Sequence, residues 1–223
     1  MGLIRFEGIT KSFSGRLPII ENTSFSINEG EFIFLTGISG SGKSTVLKLL
    51  YRLLNPDSGK IYYREVSHSS RKSLAAMRKN FGYMPQIPIL LEKRTVRENI
   101  LLPLQVRNDT NLKPREAIDY INEVCGLNEL MSIKTVFLSG GEKQIVSLAR
   151  AIINHPPVII ADEPTAHLDR KMALKLVNIL MRLNEQGTTV IISTHDIELL
   201  RAFEARIMII KDRAVQDFSG KQI

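Results

Sequence analysis

Gly37-Ile38-Ser39-Gly40-Ser41-Gly42-Lys43-Ser44 stands between the apolar run Phe32–Leu35 and a helical pattern over Ser44–Leu54. That pattern carries Val46, Leu47, Leu49, Leu50, Leu53 and Leu54 and meets a proline stop at Asn55-Pro56. The eight residues fit G-x-x-x-x-G-K-S/T, and the strand before and helix after are the context this motif requires. Glycine lets a backbone turn tightly enough for successive N–H groups to point at one anion. A helix that starts there adds unsatisfied N–H groups and the positive end of its dipole. The spacing therefore predicts a phosphate cradle built on Gly37, Ser39, Gly40, Ser41 and Gly42. Lys43 is expected to bridge β- and γ-phosphates, Ser44 to ligate Mg²⁺ through its hydroxyl, and Thr45 to reach the α-phosphate. The alternative is a glycine-rich turn with no ligand. At average residue usage the four fixed positions arise by chance in roughly one chain in a hundred of this length.

Outward from the cradle, Val158–Ala161, Val190–Ile192 and Ile207–Ile210 are further short apolar runs of the kind that form parallel strands buried on both faces. Helical patterns separate them. Pro114–Cys125 starts on a proline and closes at Gly126, and Arg170–Gln186 closes at Gly187. Strands alternating with helices predict an α/β fold with a mostly parallel sheet. Ile4–Phe6 and Thr23–Ile27 alternate, as strands of a half-exposed antiparallel sheet do. Residues 88–154 contain no long strand pattern and read as a mainly helical insertion, leaving 1–87 and 155–223 as the strand-bearing core of a single domain.

Val158-Ile159-Ile160-Ala161-Asp162-Glu163 places two acids where a buried strand ends. In parallel α/β sheets ligands bind at the carboxyl ends of strands. Asp162 is expected to hold Mg²⁺ through a coordinated water, and Glu163 to act as general base on the attacking water. Solvated acids at a strand end are common alone; the glycine loop upstream favours the chemical reading. His195, in Ser193-Thr194-His195-Asp196, follows the next apolar run and is expected to contact the γ-phosphate and help position water. A lone histidine is otherwise a structural hydrogen-bonder.

The 223 residues are 43% hydrophobic and 24% charged, a globular composition with enough chain to bury a large core. No apolar run approaches the roughly 18 residues of a spanning helix, and Met1–Gly8 lacks a signal-peptide pattern, so a soluble cytoplasmic protein is expected. The single Cys125 excludes an internal disulfide and falls on the apolar side of a helix. Thirty Lys and Arg against 23 Asp and Glu give +7, compatible with nucleic acid, anionic lipid, a polyphosphate ligand or a merely solvated surface.

Leu138-Ser139-Gly140-Gly141-Glu142 resembles the signature loop of the ATP-binding cassette family, and the resemblance covers essentially the whole chain. It implies an ABC-type P-loop NTPase: an ATP hydrolase with an N-terminal antiparallel β subdomain, a mostly parallel core and a helical insertion carrying the signature loop. By that resemblance Ser139, Gly140 and Gly141 close over ATP held by a partner's cradle, so that two ATP·Mg²⁺ are sandwiched in a head-to-tail homodimer. Gln86 matches the Q-loop, which senses Mg²⁺ and the water and couples to a membrane partner. Asp169, in Ala166-His167-Leu168-Asp169, matches the D-loop, His195 the switch histidine, and Phe13 the aromatic that stacks on adenine. Two departures stand out: Ile145 where most signature helices carry arginine, and Phe13 for the commoner tyrosine.

Within the family, Arg94-Thr95-Val96-Arg97-Glu98-Asn99 followed by Leu102-Pro103-Leu104 resembles bacterial cell-division ATPases of the FtsE type. These pair with a polytopic FtsX-type membrane subunit, which places the ATPase peripherally on the inner face of the cell membrane. Lipoprotein-release and macrolide-export ATPases resemble the same stretches, and Ile87 replaces the aspartate usual in the division group. A nucleic-acid-associated cassette is the remaining alternative. The single cassette without a heptad tract argues against it, and no stable nucleic-acid partner is expected.

Overall fold

The structure, a computed structural model, describes residues 2–13, 15, 17–68, 70–107 and 113–218. The first half runs β1 (Ile4–Lys11), β2 (Ile20–Ile27), β3 (Phe32–Thr36), α1 (Lys43–Leu50), β4 (Ser58–Tyr63), α2 (Arg71–Arg78) and β5 (Phe81–Met84). Then follow α3 (Val96–Arg107), α4 (Pro114–Cys125), α5 (Gly140–Ile152), β6 (Val158–Asp162), α6 (Arg170–Glu185), β7 (Thr189–Ser193), α7 (Ile197–Ala202), β8 (Arg206–Lys211) and β9 (Ala214–Asp217).

The four apolar runs become β3, β6, β7 and β8, in a sheet of order β5-β6-β7-β3-β8-β9 that is parallel except for β9. Their continuous hydrophobicity has a direct cause. Phe32, Phe34, Ile159, Ala161, Val190 and Ile192 enter the core cluster formed with α3 to α6. Ile33, Leu35, Val158, Ile160 and Ile191 enter the opposite cluster, with α1 and the second sheet. Both faces of β3, β6 and β7 are covered, so a polar residue inside them carries a desolvation cost, whereas β8 buries only alternate residues.

The second sheet, β2-β1-β4, is antiparallel. Ile4, Phe6, Ile9, Ile20, Ile27 and Ile61 point to the shared core while alternate residues reach solvent. α5 lies flat on β5: a Cβ on Gly82 would come within 2.5 Å of the Ala151 carbonyl oxygen. That contact joins the helical segment to the sheet.

α1 ends at Leu50, four residues before the expected Leu54. Arg52 turns into the left-handed region (φ 58°), and the Leu53 N–H reaches back to the Lys48 carbonyl at 2.8 Å. This closing turn satisfies the last carbonyls and overrides the apolar pattern. Cys125 is buried, and burial pushes its thiol pKa up to about 12, so it packs as a small hydrophobe. Among the described residues no helix is long and apolar enough to cross a membrane.

Candidate functional site

The site gathers at the carboxyl edge of the parallel sheet, where β3, β5, β6 and β7 all terminate. Gly37 follows β3 with φ 149°; a Cβ there would sit 2.7 Å from Ser41 Oγ and 3.0 Å from the Ile210 carbonyl. Gly42 has φ 105° and its missing Cβ leaves room for Ile19, which would otherwise lie at 2.7 Å. Gly42 is also the N-cap of α1, and no side chain caps that helix. Its first-turn N–H groups and dipole thus face the loop. Ser41 Oγ is buried in the loop without a hydrogen-bond partner, as expected for a group waiting for an anion. Lys43 is 5% exposed, and its Nζ reaches the carbonyls of Gly37 (3.0 Å) and Ile38 (3.3 Å) and Glu163 Oε1 (3.4 Å). Ser39 and Gly40 line the open rim of the loop, and Thr45 lies in the first turn of α1.

Asp162 ends β6 at 3% exposure. Its Oδ1 accepts from Ser44 Oγ (2.9 Å) and Ser193 Oγ (2.8 Å). A serine hydroxyl and a carboxylate held this close are the hard-oxygen pair that suits a phosphate-borne magnesium, which takes few protein ligands. Among the described residues there is no cluster of three or more His, Cys, Asp or Glu to compete for it.

Glu163 adopts the left-handed backbone conformation (φ 43°), held by its N–H donating to Ser193 Oγ at 2.8 Å. Its carboxylate accepts from Gln86 Nε2 (3.2 Å) and lies 3.4 Å from both Lys43 Nζ and His195 Nδ1. Three residues, from α1 and from the segments after β5 and β7, thus converge on one carboxylate at the end of β6. Phe13 is 38% exposed beyond β1, with Lys11 Nζ 5.6 Å from its ring centroid. The Ile19 N–H donates to the Lys11 carbonyl at 2.8 Å, and Ile19 is the residue packed against Gly42.

Ser139, Gly140 and Gly141 stand apart. Ser139 caps α5, its N–H and hydroxyl both donating to Glu142 Oε2 (2.8 and 2.6 Å) while its Oγ accepts from the Glu142 N–H. Among the described residues no hydrogen bond or ion pair joins these three to the phosphate loop. Glu142 is held below the usual carboxylate range, chiefly by the Ser139 hydroxyl and then by the Ser139 N–H. Asp169 caps α6 through the Met172 N–H at 2.9 Å, and Met172 packs 3.1 Å from where a Gly141 Cβ would be. Ile145 is 2% exposed in the larger core cluster, committed to packing where an arginine is usual.

Two contributors escape sequence reasoning. Ser193, which bonds both Asp162 and Glu163, signals itself only as a polar residue closing a buried run. Gln144 is 4% exposed and donates to the Gln86 carbonyl at 3.0 Å, a contact between residues 58 apart that no local pattern announces.

A family model described as "ABC transporter" matches residues 20–166. The cell division ATP-binding protein FtsE of Escherichia coli K12 is 34% identical over 212 residues, covering 94% of this chain and 96% of that protein. The lipoprotein-releasing system ATP-binding protein LolD of Aquifex aeolicus is 36% identical over 200 residues, 88% of this chain and 89% of its own. Among solved structures, the dimeric cassette MJ0796 superposes with a TM-score of 0.87 at 33% identity over 97% of this chain and 99% of that one. Its post-hydrolysis dimer bound to ADP and Pi gives 0.86 at 32% identity.

Proposed function

The chain belongs to the ABC transporter family and hydrolyses ATP as a cassette of that family, and we propose that it is the FtsE-like motor subunit of a membrane-bound division complex. The observation that carries the catalytic part is the convergence of Lys43, Gln86 and His195 on the Glu163 carboxylate. The division role is supported by similarity to FtsE along nearly the whole of both chains. Residues 1–87 and 155–223 serve as the nucleotide-binding core, and 88–154 as the mainly helical subdomain carrying the signature loop.

The 37–45 loop cradles the phosphates of ATP and Phe13 stacks on the adenine. Lys43 leaves the Gly37 and Ile38 carbonyls to bridge β- and γ-phosphate oxygens. Ser44, Asp162 and Gln86 would hold Mg²⁺, which would supply neutralisation of the phosphate charge. Glu163 takes a proton from the attacking water, and His195 and Gln86 keep that water in line. Two copies pair head to tail, so that Ser139, Gly140 and Gly141 of one donate to the γ-phosphate bound by the other, with Asp169 near the junction. Ile87, Ile89 and Leu91, exposed by 76%, 71% and 42% on the loop after Gln86, support docking of a polytopic FtsX-like subunit. The chain then sits peripherally on the inner face of the membrane. The 36% identity to LolD supports a second reading, the ATPase of a lipoprotein-release or export transporter.

Glu163→Gln tests these assignments together. Phosphate release is expected to fall about a hundredfold or more, while ATP binding persists and a dimer accumulates. With Mg·ATP it should retain a polytopic membrane protein from gently solubilised native cells, whose extracytoplasmic domain separates division from lipoprotein release. Turnover at the parent rate refutes the base, and recovery of nucleic acid or ribosomes without a membrane subunit refutes the membrane role.

A further inference from the structure

Gln144 lies one turn inside α5, past the Ser139–Gly141 turn, and is 4% exposed. Its Nε2 donates to the backbone carbonyl of Gln86 at 3.0 Å, while its Oε1 is buried with no partner. The orientation of the amide follows from this: turned over, its oxygen would face the carbonyl oxygen, acceptor against acceptor. The side chain of the same Gln86 donates to Glu163 Oε2 at 3.2 Å. The far end of the loop is fixed as well, because Asn99 accepts from the Leu91 N–H (2.7 Å) and donates to the Leu91 carbonyl (3.1 Å). The segment between Gln86 and Leu91 is therefore pinned at both ends while Ile87 and Ile89 face solvent.

The near pin differs from the far one in what it connects. Asn99 fastens the loop to α3, whereas Gln144 fastens it to the helix whose first residues form the exposed glycine turn. Glu163, the Gln86 side chain, the Gln86 carbonyl and Gln144 form one unbroken sequence of hydrogen bonds and covalent links into α5. Ile145 beside Gln144 is locked into the core, so α5 is seated on the sheet by packing and tied to the loop by this amide. Burying the Oε1 without a partner costs free energy, which the bond from Nε2 to the Gln86 carbonyl offsets.

We propose that Gln144 is a positioning residue that links the carboxylate end of one nucleotide site to the signature turn presented to the other. Displacement of Gln86, when Glu163 and its water engage ATP, moves the anchor of α5 and sets the turn against the second nucleotide. This rests on the assignment of Glu163 and of the Ser139–Gly141 turn given above. Coupling of this kind is a difference in binding free energy between two sites and is measurable as such.

The experiment uses the full chain in a Glu163→Gln background and adds Gln144→Met, which keeps length and volume but removes the donor, or Gln144→Glu, which replaces the donor with an acceptor. Affinity of the dilute monomer for a fluorescent ATP analogue and ATP-dependent dimerisation by sedimentation are both measured. Both variants should bind nucleotide as the background does, and this retained affinity also reports a folded cradle. The dimer dissociation constant should rise about tenfold, the scale of one buried hydrogen bond. An unchanged dimer constant in either variant overturns the proposal, as does loss of monomer affinity, which would make Gln144 a structural part of the cradle. Failure of Glu163→Gln alone to dimerise with ATP refutes the underlying site assignment and the proposal with it. That result is distinct because it precedes any change at position 144.

Discussion

α1 and α5 both begin at glycine-containing turns, and the two turns are finished differently. Before α1, no side chain caps the helix, Ser41 Oγ has no partner, and a buried lysine occupies the loop by borrowing backbone carbonyls. Before α5, Ser139 and Glu142 satisfy each other in a closed capping box. The first turn is an anion site kept open by its own unsatisfied groups. The second already holds an anion, the Glu142 carboxylate, so a phosphate reaching Ser139 must compete with it. On the proposed reading one chain carries a primary site and a conditional one, an asymmetry that the proposed head-to-tail pair would resolve.

Lys43→Ala should break the primary turn. Nucleotide affinity, read by calorimetry, should fall about a hundredfold, as loss of charge-assisted hydrogen bonds of about 2–3 kcal/mol implies. A change under threefold would mean that the backbone turn alone holds the phosphates and the contrast with α5 is overstated. Ser139→Ala should spare monomer affinity and lower turnover about tenfold, with a melting shift equivalent to about 1 kcal/mol from the lost cap. Weaker monomer binding would show that the two turns serve the same nucleotide after all. The smallest effect belongs to Glu142. Its folded pKa lies below the ordinary value of 4.5, so its contribution is fully present above that value. As pH falls through the lowered folded value the contribution disappears, a few tenths of a kcal/mol after solvent screening. Glu142→Gln keeps an acceptor for the box but does not titrate, and should abolish that acid dependence of stability below pH 4.5. Equal acid dependence in both proteins would assign it elsewhere.

The same contrast explains what could be read from the sequence. β3, β6 and β7 are buried on both faces and therefore appear as uninterrupted apolar runs. The phosphate loop between β3 and α1 needs glycine at Gly37 and Gly42, where a Cβ would collide with neighbours. Such constraints are local and leave a mark. β5 is four residues long and broken by Gly82, whose reason is an α5 carbonyl distant in sequence. β4 opens with three exposed residues, and α2 buries only Met77, so neither carries a period strong enough to detect. At the site, Lys43, Ser44, Asp162 and Glu163 were legible from motif and strand end. Ser193 and Gln144 act across sheet and helix, and a pattern within a window cannot contain them. The acidic partner of Ser139 is the exception: Glu142 stands three residues on, at the spacing the capping box prescribes.

The backbone at Glu163 turns to φ 43°, where a side chain bearing a Cβ is under strain of about 1 kcal/mol and glycine is at ease. Backbone conformation alone would therefore favour glycine there, against the contacts that the acid makes with Lys43, Gln86 and His195. With Glu163 as the proposed base, position 163 is a place where backbone ease and turnover pull in opposite directions, and selection for endurance alone would not hold the acid there.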